Sequence, residues 1–175
     1  FISATTTRKT AAGYDITSEF SLTVGTGSPT ELTAEKVVNV YDPTNAGLYM
    51  LPGNDALSSL IVTNPGTSAA DTDSIVMIDK VADELEFYNG DIDDGGPETD
   101  PVIGIDSSSG LTFNYATDVR YSNAGTKPAN FAACGYSPSA GYDANVTFIC
   151  FNPKGAMAAG DPDPSFALKF RAGIK

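Results

Sequence analysis

The stretch YDITSEFSLTV, Tyr14 to Val24, decides the fold class. Its residues alternate with a period of two. Tyr14, Ile16, Phe20, Leu22 and Val24 point one way, and Asp15, Thr17, Glu19, Ser21 and Thr23 the other. Alternation of that length is the pattern of a strand with one face on a core. Working outward, ALSSLIVTNPG, DSIVMIDKV, ELEFYNG, GLTFNYATDVRYS, NFAACGYS, NVTFICFNPKG and SFALKFRAGI also read as short strands, although DSIVMIDKV alternates less cleanly. Gly, Pro, Asn and Asp punctuate them roughly every ten residues, the rhythm of an antiparallel sandwich. SPTELTAEKVVNVY has a helix-like start at Ser28, Pro29 and Thr30, but KVVNVYD reads as a strand and is taken as one. The expectation is an all-β, immunoglobulin-like antiparallel β-sandwich over residues 13–175, preceded by an extended arm, residues 1–12.

Composition narrows the function. The chain has 175 residues, is 41% hydrophobic, which suffices for one core at this length, and carries a net charge of −12. A phosphate backbone or an anionic membrane surface is bound by clustered Lys and Arg, so nucleic acid and membrane are set aside as partners. Histidine is absent, which removes the usual general base and the triads built on it. No Asp-Thr-Gly, Asp-Ser-Gly or Ser-x-x-Lys occurs, and tryptophan, the common sugar-stacking residue, is missing. The expectation is therefore no enzyme and no small-molecule substrate. No transmembrane run or signal peptide is found, and a start at Phe1 fits a processed mature protein.

Cys134 and Cys150, 16 positions apart, sit in FAACGY and FICF, which read as neighbouring strands facing each other across a long hairpin. A disulfide there would contribute about 3 kcal/mol and belongs to an oxidising compartment. Two buried free thiols are the alternative. N-V-T at Asn145 matches a glycosylation acceptor, but it lies in an expected strand and is read as chance.

Charge is unevenly placed. Of the 22 acids, 12 lie between Asp71 and Asp106, with Lys80 alone to offset them, whereas residues 1–12 carry Arg8 and Lys9 and no acid. The loop EFYNGDIDDGGPETDP (residues 86–101) is the densest acidic segment. Calcium takes six to eight oxygens from turn-rich loops of this kind. Asn89, Asp91, Asp93, Asp94, Glu98 and Asp100 are the candidate Ca2+ ligands, with Gly95-Gly96 supplying the bend. The spacing is not that of an EF-hand: counted from Asn89, Gly95 stands at position seven and Asp100 at twelve. A solvated acidic surface, or a loop that meets a basic patch on another copy, are the other two readings.

The segment LPGNDALSSLIVTNPGTSAADTDSIVMIDKVADELEF carries a further pattern: Pro52-Gly53, Leu60 to Asn64, Gly66, Ala69-Ala70, Ile75 to Asp79, and Leu85 to Phe87. From about Tyr49 to Phe87 the chain thereby resembles the conserved repeat domain of bacterial and archaeal surface proteins. That family reads roughly Pro-Gly, YTLTVTNTG, an Ala-rich link, VVVTDPLP, then GLTF. This chain departs from it at SSLIVTNPG and KVADEL, and the acidic loop and the cysteines lie outside the pattern. The resemblance implies an immunoglobulin-like sandwich, export, and a structural or adhesive surface role, with no catalytic residues.

These strands converge on one expectation. The chain is a secreted subunit of an extracellular filament or surface assembly, a homopolymer whose copies donate β-strands to each other. The expected subunit contacts are Phe1, Ile2, Tyr14, Ile16, Phe20, Leu22 and Val24. A frayed terminus, or one strand added to the chain's own sheet, is the plainer reading of residues 1–12. A calcium-binding adhesive or recognition module is the alternative function.

Overall fold

A computed structural model describes residues 2–9, 15–23, 32–44 and 46–175. Among these the chain is all-β, as the alternation predicts, and its strands form two antiparallel sheets. The first sheet contains β1 (Ile2–Lys9), β2 (Asp15–Thr23), β5 (Val76–Lys80), β10 (Phe148–Phe151) and β8 (Val119–Ser122), in that spatial order. The second runs β3 (Thr33–Val40), β4 (Asp55–Thr63), β11 (Ser165–Ile174), β6 (Leu85–Asn89), β9 (Gly141–Asp143), with β7 (Val102–Ser107) also paired to β11.

The inner faces follow from the period of two. On β4, Ala56, Ser58, Leu60 and Val62 are buried and their neighbours half-buried. On β11, Phe166, Leu168, Phe170 and Ala172 enter the core. Opposite them stand Phe20 and Leu22 of β2, Met77 of β5, and Ile149 and Phe151 of β10.

β6 and β7 are one line broken by an insertion. β6 pairs with β11 at Ala172–Ile174, and β7 pairs with the same strand at Phe166–Phe170, both antiparallel. The acidic residues between them therefore bulge out of a single strand path. This placement decides what the loop can touch.

Two segments read as strands are something else. YATD of GLTFNYATDVRYS forms one helical turn, α1 (Tyr115–Asp118), because the Asn114 side chain accepts from the Ala116 N–H. NFAACGYS contains a 3-10 turn, Phe131–Ala133, capped by the Asn130 side chain. Cys134 is disulfide-bonded to Cys150 as expected, but across a loop and a strand rather than a hairpin. The loop lies on the outer face of the first sheet, where Cys134, Cys150, Ile78 and Phe148 form a second small apolar cluster with Phe131 and Val76 against it. β10 is thus covered on both faces. Its sequence FICF is continuously apolar for that reason.

Candidate functional site

The acidic loop is built by its own carboxylates. Asp91 accepts from the backbone N–H of Asp93 (3.0 Å) and of Gly95 (2.8 Å), which folds the chain into a tight turn. Asp94 at φ 54° and Gly95 at φ 98° take left-handed conformations, which Asp tolerates and Gly adopts freely. At the neighbouring Gly96 a Cβ would come within 2.1 Å of Asp93 Oδ2, so a side chain there would push the Asp93 carboxylate aside. Ile92, in the middle of the acids, is buried and anchors the loop to the body.

A positive charge sits under the loop. Arg171 lies on the outer face of β11, between Lys169 and Gly173, yet it is buried. Its Nε donates to Asp55 Oδ2, and its Nη1 stands 2.7 Å from Asp94 Oδ1. The guanidinium is sandwiched between Tyr41 and Tyr88, 4.3 and 4.4 Å from the ring centroids. The Tyr142 hydroxyl donates to both oxygens of Asp55 at 3.0 Å, and its ring packs on Tyr88 at 4.9 Å. Burial alone would ease the proton off Arg171. Its hydrogen bonds to Asp94 and Asp55, and the Asp55 charge, outweigh that and hold its pKa above the ordinary value. Burial, reinforced by Asp94, raises the Tyr41 phenol.

The expected calcium ligands are distributed as follows. Asn89 Nδ2 turns away from the loop and donates to the carbonyls of Pro138 and Ser139, at 3.3 and 3.0 Å. Asp91 and Asp93 bind backbone N–H groups, with Glu98 N reaching Asp93 Oδ2 at 3.3 Å. Asp94 is committed to Arg171, while Glu98 and Asp100 are exposed. Among the described residues no three carboxylates group as a metal-binding set.

The expected subunit contacts divide. Phe1, Tyr14 and Val24 lie outside the described residues. Ile2 and Ile16 lie in the β1–β2 hairpin, opposite Leu22 and Arg8. Phe20 and Leu22 are buried in the core of this same chain. β1 occupies residues assigned to the arm and pairs along its length with β2. Asn145 is exposed, in the turn before β10 rather than within a strand.

One buried pair escaped the sequence reading. Lys36 of β3 and Asp79 of β5 meet between the sheets, Nζ to Oδ1 2.6 Å. The available signal was a charged residue on the inward phase of each strand, among Ala34 and Val38 in one and Met77 and Val81 in the other.

Compared with protein-family models, with curated proteins and with solved structures, the chain matches none.

Proposed function

We propose that the chain is a secreted structural module, an immunoglobulin-like sandwich forming one unit of an extracellular filament or surface assembly. Copies would be joined by exchange of the β1–β2 hairpin. The observation that carries the reading is how this hairpin is attached. β2 pairs with the body over four residues, Phe20–Thr23 against Val76–Asp79, and β1, the outermost strand beyond it, lies against β3 of the other sheet. Yet this thin layer supplies Phe20 and Leu22 to the core. Exchange gives the hairpin the same pairing with β5 in another copy, so it costs little beyond association, and head-to-tail exchange propagates. The disulfide fits an oxidising compartment. Among the described residues no helix is long and apolar enough to cross a membrane.

The register gives a direct test. Thr23 stands opposite Val76, so the double variant Thr23→Cys, Val76→Cys traps the pairing. A ladder of covalently linked chains on a non-reducing gel is the expected result. Cross-links confined within single chains, in protein that stays monomeric at high concentration, overturn strand exchange.

A second reading, a calcium-binding adhesive or recognition module, is favoured by one atom. Asp93 Oδ1 is buried without a hydrogen-bond partner. Calorimetric titration with calcium decides it: heat that vanishes in Asp91→Asn, Asp93→Asn supports this reading, and no heat in the unaltered chain removes it.

A further inference from the structure

Lys36 and Asp79 come from opposite sheets and meet in the middle of the core. Nζ lies 2.6 Å from Oδ1 and 2.8 Å from Oδ2, so the amine faces the carboxyl carbon that joins them. The two side chains are 2% and 0% exposed. The register surrounds them with apolar groups. Asp79 is flanked in its sheet by Phe20 of β2 and Ile149 of β10. Lys36 has Leu60 of β4 beside it and Leu168 of β11 beyond, and the Phe170 ring centroid lies 5.7 Å from Nζ. All five neighbours are buried.

An ion pair in such a place carries a heavy desolvation cost. Burial pushes the Asp79 carboxyl up to about 6, against the pull of the Lys36 charge and hydrogen bond. A proton passed across this contact removes both buried charges and leaves a neutral amine against a neutral acid. Those are the two reactants of an amide condensation, held in contact by the fold and shielded from bulk water.

We propose that Lys36 and Asp79 condense into an isopeptide bond, a covalent staple between the two sheets. The bond formed joins Lys36 Nζ to Asp79 Cγ, and the bond broken is one Cγ–O bond of the carboxyl group. The departing oxygen takes two of the three ammonium protons and leaves as water, while the third proton stays on the amide nitrogen. One positive and one negative charge disappear together, and no oxidant, reductant or cofactor enters. The product replaces two buried charges by one neutral amide, and the same dry surroundings that promote the step protect the bond from hydrolysis. The inference rests on the core pair and is independent of hairpin exchange.

Mass spectrometry of the full chain, reduced and denatured, tests it. The expected mass is lower than that of the sequence by one water, and trypsin should release a single branched peptide containing both Lys36 and Asp79. Asp79→Ala and Lys36→Ala should keep their full sequence mass, whether or not they fold. A succinimide at Asp94-Gly95 would also lose a water, but it links no peptides and is told apart by the digest. A full-mass unaltered chain after prolonged incubation in the folded state, or a lost water with Lys36 still open to trypsin, overturns the cross-link and leaves an ordinary buried ion pair.

Discussion

Arg171 explains where part of the loop's charge goes. Its guanidinium is held by Asp55 and Asp94 and stacked between two tyrosines, with the arginine and Asp55 side chains each 10% exposed. Removing one partner of a largely buried pair strands the other. Arg171→Leu should therefore lower stability by about 3 kcal/mol in urea unfolding. Arg171→Lys should recover only part, because an ammonium has neither the planar fork nor the stacking face. Asp143 is a second test at this scale. Burial works to raise its pKa, but the N–H groups of Ser139 and Asn145 and the Tyr136 hydroxyl outweigh that and hold it below 3.8. A carboxyl whose folded pKa is depressed stabilises above its ordinary pKa, and that contribution fades as pH falls through the folded value. Asp143→Ala should cost about 1 kcal/mol at neutral pH, and the gap to the unaltered protein should close in acid, below 3.8, as followed by thermal unfolding across pH. The acids were legible in the sequence. Their partner was not, because Arg171 reaches them only through the pairing of β11 beside β6 and β7.

At the scale of elements, the period of two located most of the strands, passed over β7 and β9, and misled at two loops. YATD and NFAACGYS have strand-like composition, but asparagine caps at Asn114 and Asn130 turn both into short helical turns. The disulfide lies at the join between one such loop and β10. Replacing both cysteines by serine should cost about 3 kcal/mol from loop entropy, with more lost as the cover over Ile78 and Phe148 loosens; melting with and without reductant measures it. The hairpin makes the opposite prediction for its two faces. Leu22 is fully buried and Glu19 exposed. Leu22→Ala should destabilise by about 3 kcal/mol, whereas Glu19→Ala should fall within about 0.5 kcal/mol of neutral; chemical denaturation distinguishes them.

For the molecule as a whole, the proposed strand exchange would carry a kinetic consequence. A subunit can leave an exchanged assembly only by drawing Phe20 and Leu22 out of its neighbour's core, which means crossing an unfolding barrier. Diluted assemblies should keep their size for hours by light scattering, and should fall apart on dilution into denaturant. A rapid return to monomer on dilution alone would mark a surface contact instead. The two kinds of information in this chain separate cleanly. That it is built of strands, and where most of them lie, follows from alternation along the backbone, a local property that each segment carries by itself. The disulfide, too, could be expected from two cysteines and no third. The meeting of Lys36 with Asp79, the housing of Arg171 under the acids and the covering of FICF by a loop depend on which strands become neighbours and in what register. Those contacts join residues far apart in the chain, and a sheet's hydrogen bonds form with any sequence, so nothing local names the partner until the two sheets have closed on each other.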